Sequence, residues 1–165
     1  MLLGEVIGVD PRAVPMARRC LRCGDPNHGR PFLDGYEAVS FSVSHSAEVA
    51  LVAICTSGPT IGVDLEAHRP RTRLPQLAER VLAPEHYAHW QRLGPDEQLD
   101  AFLRAWTMKE AYLKATGVGI ITRLADVPLS PAGWNVDTID APPGFVAALA
   151  SDQPVEVTYE AFGFE

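Results

Sequence analysis

Residues 39–66 read VSFSVSHSAEVALVAICTSGPTIGVDLE, and this stretch predicts three short β-strands joined by tight turns. Residues 39–44 and 61–66 alternate apolar and polar side chains with a period of two, which is typical of half-buried strands. Residues 49–54 form a continuous apolar run that is short enough for a buried strand. A Ser-Gly-Pro-Thr turn at 57–60 precedes the third strand. The short connections favour an antiparallel meander.

The middle of the chain predicts helices. Two shorter helices are expected at about residues 75–82 and 84–93, the second with a proline in its first turn. The longest helix is expected over residues 95–116. It opens with Pro-Asp-Glu, which puts a proline at the first position and acids near the positive end of the helix dipole. Gly117 supplies its stop signal.

The C-terminal part predicts β-structure again. Short apolar runs lie between proline and glycine turns at residues 127–129, 134–136, 145–149 and 155–159. Strands, then helices, then a second group of strands predict an α+β fold, with two similar halves around the helices.

Composition and charge narrow the classes of protein. The net charge of -7 argues against a general nucleic-acid binder, which needs a basic face. Three cysteines give no disulfide framework and indicate a reducing compartment. No apolar run approaches the ~20 residues of a membrane span, and the first residues lack the basic and apolar regions of a secretion signal. We therefore expect a cytoplasmic protein without a membrane anchor.

Two acids share one face of the third strand. A period of two places Gly62, Asp64 and Glu66 on the same side, with open space at the glycine. Like charges this close repel, so the pair needs a cation or a shared proton. A solvated strand face is the alternative, and the strand alone does not decide between them.

A third acid lies on an apolar stripe of the long helix. At 100° per residue, Phe102, Trp106, Glu110 and Leu113 fall on one face. An unpaired carboxylate there costs several kcal/mol, so Glu110 needs a partner. An i,i+4 pair with Lys114 is the alternative, and such a pair stabilises a helix by only a few tenths of a kcal/mol.

The strand and the helix together predict an all-oxygen metal site. Asp64, Glu66 and Glu110 offer the ligands that Mg²⁺ prefers. Lys109 and Lys114 flank the helix acid and are suited to the phosphate or pyrophosphate that Mg²⁺ accompanies.

A hydroxyl and an imidazole stand where the first strand ends. Ser44 and His45 are neighbours on a strand, so their side chains point to opposite faces and do not form a catalytic dyad. Contact with a phosphate fits them better than nucleophilic catalysis. A lone histidine is otherwise more often a structural hydrogen-bonding residue.

Three blocks of this sequence resemble the signature blocks of the 4′-phosphopantetheinyl transferase superfamily. They are residues 41–46, 62–66 and 102–117, the last containing Trp-Thr-Met-Lys-Glu-Ala-Tyr-Leu-Lys. Their spacing resembles the surfactin-synthetase-activating (Sfp-type) branch. Residues 20–24 and 28–31 are also similar to the loop on the nucleotide side of the family's site.

The resemblance implies a fold and an activity. It implies two pseudo-symmetric lobes, at about residues 1–72 and 73–165, each a small antiparallel sheet packed with helices, with coenzyme A in the cleft between them. The implied reaction moves 4′-phosphopantetheine from coenzyme A to a serine of an acyl or peptidyl carrier protein and releases 3′,5′-ADP. The implied metal is Mg²⁺, or Mn²⁺ in its place.

The resemblance also implies residue roles. Metal binding falls to three acids: Asp64, Glu66 and Glu110. Coenzyme A binding falls to five residues: Arg30, Ser44, His45, Lys109 and Lys114. Glu110 and Lys114 are also the expected catalytic residues, with Glu110 as the base for the carrier serine.

A monomer and an acidic carrier protein are the expected assembly and partner. A chain of charge -7 repels an acidic partner at long range, so any attraction must be local. Four arginines are candidates for a docking strip: Arg69, Arg71, Arg73 and Arg123. A solvated loop explains them equally well.

The N-terminal segment departs from the family. Residues 2–8 predict the end of a helix that begins before the sequence does, and residues 20–35 predict a loop rich in glycine and proline. The family implies further N-terminal basic residues that bind the 3′-phosphate. A shortened, non-catalytic module that binds coenzyme A or a carrier protein is therefore the alternative to an enzyme.

Two other metal-dependent sites have weaker support in the sequence. Cys20, Cys23 and His28 have zinc-like spacing, but a structural zinc needs four ligands and no fourth is evident nearby. A metal-dependent nuclease would use the two strand acids but needs a basic surface, which the net charge opposes.

Overall fold

The computed structural model describes residues 1–20, 23–119 and 122–163. In chain order the elements are α1 (Leu2–Ile7), β1 (Met16–Arg19), β2 (Arg30–Leu33), β3 (Ser40–Ser46), β4 (Val49–Cys55), β5 (Ile61–Ala67), α2 (Leu74–Val81), α3 (Pro84–Trp90), α4 (Pro95–Thr116), β6 (Asn135–Ile139) and β7 (Phe145–Ser151). Small antiparallel sheets pack against helices, which confirms the α+β prediction.

The strands form three small antiparallel sheets in the described part of the chain. β1 pairs with β2, and β3 pairs with β4 as a hairpin. β5 pairs with β7, which also pairs with β6, so this sheet has the order β5-β7-β6. The predicted meander is therefore half right, because β5 leaves the hairpin and pairs with a strand from the C-terminal part.

Helix α4 crosses β5 at very close range. A Cβ added to Gly62 would overlap the carbonyl of Ala111 and the amide of Ala115, both in the α4 backbone. The alanines that line this contact are fully buried, and the same is true of those facing them on β7: Ala111, Ala115, Ala148 and Ala150. Small residues on both sides let the helix lie directly on the sheet. This crossing fixes α4 over β5 next to its two acids.

A second core holds the other end of α4. Phe102 and Leu103 pack with Val81 of α2 and with Trp90 of α3, all of them buried. The helix begins after Gly94, whose amide donates to Glu97 Oε2 at 3.0 Å, and it ends at Gly117 with φ of 69°. The predicted limits of α4 are confirmed.

Three sequence predictions fail in the irregular parts. The predicted loop over 20–35 contains β2, because a proline is tolerated in a strand that lies at a sheet edge. Residues 127–129 form no strand; a 3₁₀ turn (Leu124–Asp126) precedes them and Pro128 has no amide to donate. Residues 155–159 alternate apolar and polar side chains but form no strand with any described residue, and all except Val155 are exposed.

Part of the N-terminal loop lies outside the described residues, namely Leu21 and Arg22. Among the helices that are described, none combines the length and apolar character needed to cross a membrane. The division into two lobes at about residue 72 stays a prediction.

Candidate active site

Three serines connect β3 to β5 without a backbone ladder. Ser42, Ser44 and Ser46 alternate along β3, so their hydroxyls share one face. Each hydroxyl accepts a hydrogen bond from a backbone amide of β5, at 3.0 to 3.2 Å: Val63, Leu65 and Ala67. The serine hydroxyls thus satisfy buried amides that would otherwise be unpaired.

The same hydroxyls hold the two strand acids. Ser44 Oγ donates to Asp64 Oδ1 at 2.8 Å, and Ser46 Oγ donates to Glu66 Oε2 at 3.2 Å. A hydroxyl has one proton, and here the amides of β5 leave it free for the carboxylates. The strand-to-strand contact therefore also fixes where the acids point.

Each strand acid has a cation of its own. Lys114 Nζ lies 2.8 Å from Asp64 Oδ1 and 3.4 Å from the carbonyl oxygen of Val43. Arg71 NH2 lies 2.5 Å from Glu66 Oε2. Lys114 reaches the strand from α4, and Arg71 reaches it from the loop after β5. These two ion pairs connect α4 and the loop after β5 to neighbouring acids on β5.

Asp64 is buried and only partly satisfied. The residue is 6% exposed, and its Oδ2 is a buried atom with no hydrogen-bond partner among the described residues. Burial raises the pKa of Asp64, and the charge of Lys114 opposes that rise. An oxygen left unpaired in the protein interior costs free energy, so Asp64 Oδ2 is ready to accept a cation.

Glu110 faces the same place from the helix. Burial raises the pKa of Glu110, and the negative charge of Asp64 raises it further. Lys114, one helical turn away, lowers it. Glu110, on the predicted stripe of α4, therefore lies near the two strand acids.

One open cleft of about 420 Å³ contains most of the predicted site. Six of the eight predicted residues line it: Ser44, His45, Asp64, Glu66, Glu110 and Lys114. Trp106 and Leu124 supply apolar wall. His45 is exposed at the cleft, whereas Ser44 is buried and already committed to Asp64. The alternative of a solvated strand face does not hold for Asp64.

Lys109 does not line the cleft, so its role as a second phosphate-binding lysine stays a prediction without support from this arrangement. Its side chain is 1% exposed, and its ammonium donates to the carbonyl oxygens of Val81 at 2.6 Å and Leu124 at 2.8 Å. Burial lowers the pKa of Lys109 to about 8. Lys109 follows the other side of α4 because adjacent helical residues point about 100° apart.

Arg30 also lies outside the cleft lining. Its guanidinium donates to the carbonyl oxygen of Ala115 at 2.8 Å and to that of Ile61 at 3.4 Å. It therefore joins β2 to the end of α4 and to the start of β5. Burial lowers the pKa of Arg30. In this arrangement Arg30 is a structural link, and its contact with coenzyme A stays a prediction.

The three acids share a cleft but are not at metal-binding spacing. Two oxygens bound to one Mg²⁺ lie at most about 4.2 Å apart, since each is about 2.1 Å from the ion. Among the residues that the structure describes, one group of three ligand atoms lies mutually within 4.8 Å, and it belongs to Cys20, Cys23 and His28 instead. A single ion held by all three acids therefore requires their side chains to move together.

The acids nevertheless fit a hard divalent cation. The donor set is all oxygen, and Asp64 Oδ2 is buried without a partner in the described part of the chain. Two of the three carboxylates are paired with a cation, Asp64 with Lys114 and Glu66 with Arg71. An ion there would compete with Lys114 for Asp64 and with Arg71 for Glu66.

Two contributors were missed or misassigned from the sequence. Ser46 positions Glu66, and the signal that reveals it is the serine repeat at 42, 44 and 46 opposite a strand with alternating acids. Arg71 belongs to the site through Glu66 and is not simply part of a docking strip. Arg69, Arg73 and Arg123 are exposed.

Comparison with known proteins points in one direction. The family model described as the 4′-phosphopantetheinyl transferase superfamily matches residues 60–162. The 4′-phosphopantetheinyl transferase HetI of Nostoc sp. PCC 7120 is 35% identical over 90% of this chain and 65% of its own length. A 4′-phosphopantetheinyl transferase of Bacillus subtilis is 30% identical over 70% of this chain and 47% of its own length.

A third relative matches nearly the whole chain at lower identity. The 4′-phosphopantetheinyl transferase Sfp of Bacillus subtilis strain 168 is 25% identical over 98% of this chain and 79% of its own length. By contrast, the chain spans less than two thirds of the length of the first two relatives.

Proposed function

Because the chain belongs to the 4′-phosphopantetheinyl transferase superfamily, we propose that it moves 4′-phosphopantetheine from coenzyme A to a serine of an apo carrier protein. The serine oxygen forms a bond to the β-phosphorus, the bond from that phosphorus to the bridging oxygen breaks, and 3′,5′-ADP leaves. The observation that carries this proposal is the cleft in which the acids of β5 meet Glu110 and Lys114 of α4.

The metal of this reaction would be held by Asp64, Glu66 and Glu110. Mg²⁺, or Mn²⁺ in its place, would supply positive charge that offsets the charge of the pyrophosphate and of the leaving group. The unpartnered Asp64 Oδ2 and the all-oxygen donor set support this assignment.

Glu110 acts as the base for the carrier serine. Its raised pKa makes its carboxylate a stronger proton acceptor than an exposed glutamate. Such proton transfer typically contributes about 10²–10⁴-fold in rate. Glu110 lines the cleft together with the strand acids, and the carrier serine would enter this cleft.

Lys114 and His45 bind the phosphates. The ammonium of Lys114 has three donors, of which two face Asp64 and Val43, so one remains for a phosphate oxygen. His45 is exposed at the cleft and offers a ring N–H. Ser44 acts indirectly, because its proton is held by Asp64.

The carrier protein would dock beside the cleft. Arg69, Arg73 and Arg123 are exposed and offer positive charge to an acidic acyl or peptidyl carrier, while Arg71 is occupied by Glu66. We propose that the protein acts in the cytoplasm as a monomer.

The test is transfer itself. The protein is incubated with an apo carrier domain, coenzyme A and Mg²⁺, and the carrier is weighed by mass spectrometry. A mass gain of one phosphopantetheine that disappears with a chelator supports the enzyme. Binding of coenzyme A without any mass gain, in the presence of Mg²⁺ and Mn²⁺ in turn, would replace the enzyme by the non-catalytic module.

A further inference from the structure

Two cysteines and a histidine meet in the loop that joins β1 to β2. Their ligand atoms, the sulfurs of Cys20 and Cys23 and a ring nitrogen of His28, all lie within 4.8 Å of one another. Cys23 Sγ is 3.5 Å from His28 Nε2. A tetrahedral Zn²⁺ bound to sulfur at about 2.3 Å and to nitrogen at about 2.05 Å sets these two atoms about 3.6 Å apart. The observed separation is the one that shared coordination requires.

The loop backbone holds the two cysteines in a turn. The amide of Gly24 donates to the carbonyl of Cys20 at 2.8 Å, and the amide of Cys20 donates to the carbonyl of Asp25 at 3.1 Å. Gly24 has φ of 74°, which a residue with a side chain rarely adopts. The chain therefore returns on itself between the first cysteine and the histidine, which brings three donors from nine residues to one point.

We propose that Cys20, Cys23 and His28 bind Zn²⁺ at a site separate from the acidic cleft. Thiolate and imidazole ligands select zinc over the hard cations that suit carboxylates. The fourth position is filled by Asp25 or by water. Asp25 Oδ2 lies 3.6 Å from His28 Nε2, while Oδ1 accepts two hydrogen bonds from Asn27 at 2.8 Å.

The metal stabilises a hairpin that is weak on its own. β1 and β2 form a separate two-stranded sheet, and such hairpins are marginally stable in water. Arg30 begins β2 two residues after His28 and carries the hydrogen bonds to Ala115 and Ile61 that join this hairpin to the body. Zinc at the loop would thus hold the end of β1 next to the start of β2 and fix the position of Arg30.

Two other arrangements of the same residues are chemically possible. One is a disulfide between Cys20 and Cys23, and the other is a hydrogen bond between Cys23 and His28 with no metal. Neither needs three donors at one point, and a disulfide is rare in a reducing compartment. The site does not depend on the transferase activity.

Cobalt substitution tests the proposal on the full chain. The protein is stripped with a chelator under reducing conditions and titrated with Co²⁺. Bound thiolate gives charge-transfer bands in the near ultraviolet, and tetrahedral geometry gives strong bands in the visible. We expect one thiolate-bound Co²⁺ per chain, displaced by an equivalent of Zn²⁺, whereas Co²⁺ bound by the cleft carboxylates adds no charge-transfer band. Absence of these bands, or full occupation of both thiols in a disulfide under reducing conditions, overturns the proposal.

Variants locate the site. Cys23→Ser should abolish the bands, whereas Cys55→Ser, which changes the third cysteine at the end of β4, should keep them. If Cys23→Ser does not fold, His28→Gln keeps the thiols and should weaken Co²⁺ binding more than about tenfold. Unchanged binding in either folded variant contradicts the site. Weaker binding in Asp25→Ala assigns the fourth ligand to Asp25, and unchanged binding assigns it to water.

Thermal unfolding gives a readout that is independent of colour. Zn²⁺ should raise the Tm of the wild type and of Cys55→Ser, because it binds the folded form. It should raise the Tm of His28→Gln clearly less. An equal rise in all three proteins would show that zinc binds elsewhere.

Discussion

Adding one methyl group at Gly62 should separate the helix acid from the strand acids. Gly62 has the strand conformation that any residue adopts, so an alanine there brings no backbone strain. Its Cβ would instead overlap the carbonyl of Ala111 and the amide of Ala115. These are backbone atoms of α4, so no side chain can move aside and the helix must shift as a unit.

The expected loss of stability follows from this contact. Overpacking of a core costs about 1–3 kcal/mol, and the reduced freedom of the unfolded chain returns about 0.4–1 kcal/mol. A net loss near 1–2 kcal/mol lowers the urea midpoint by roughly 0.5–1 M at a slope of about 2 kcal/mol/M. The transfer rate should fall on the order of 10²-fold even where the protein remains folded, because a misplacement of about 1 Å costs that much in rate.

The assay pairs urea unfolding with carrier modification at saturating substrate. Gly163→Ala is the matched control, since a Cβ there meets nothing within 4 Å. If Gly62→Ala unfolds at the same urea concentration as this control and transfers at the same rate, the close approach of α4 to β5 is not what positions Glu110.

Two further predictions concern the serines and the buried lysine. Ser46→Ala should raise the Mg²⁺ concentration needed for transfer, because Ser46 holds Glu66, and Ser46→Thr should restore it. The control Ser42→Ala should lower the free energy of unfolding by about 1–3 kcal/mol and leave the Mg²⁺ requirement unchanged, because the Ser42 hydroxyl binds an amide and no carboxylate. If both variants need the same Mg²⁺ concentration, Ser46 does not belong to the site. Burial lowers the pKa of Lys109 from 10.5 to about 8, so the unfolded chain holds this proton more tightly than the folded protein does. The stability of the wild type relative to Lys109→Met should therefore increase as pH rises from about 8 to 10.5, and this gain should be lost as pH falls back through 8. A difference in urea midpoints that does not change with pH would contradict the buried charge.

The regular elements were predictable because their signals are local. Pro95 and Gly117 mark the ends of α4 in the sequence, and both limits agree with the structure. The partner of β5 was not predictable, since β7, although expected as a strand at 145–149, lies far along the chain from β5. Pairing of this kind depends on tertiary contacts that a window of sequence does not contain.

The sequence indicated which acids line the cleft but not which cations accompany them. Glu110 and Lys114 reach the cleft because their face of α4 lies over β5. Lys109 fits the same motif equally well by sequence, but its side chain turns to two carbonyls near α2 that no pattern reveals. The sequence predicted Arg71 to lie in a docking strip or a solvated loop. Its ion pair with Glu66 depends on the path of the loop after β5, which the sequence does not reveal.

The most direct test of the account is divalent-cation binding by the acids. Mn²⁺ and Mg²⁺ are titrated calorimetrically into the wild type, Asp64→Asn and Glu110→Gln, with Asp100→Asn on the exposed face of α4 as control. Both cleft variants should lose at least tenfold in metal affinity, lose transfer, and remain folded or become more stable as repulsion is relieved. Metal affinity and turnover near those of the control in either cleft variant would contradict a site shared by β5 and α4.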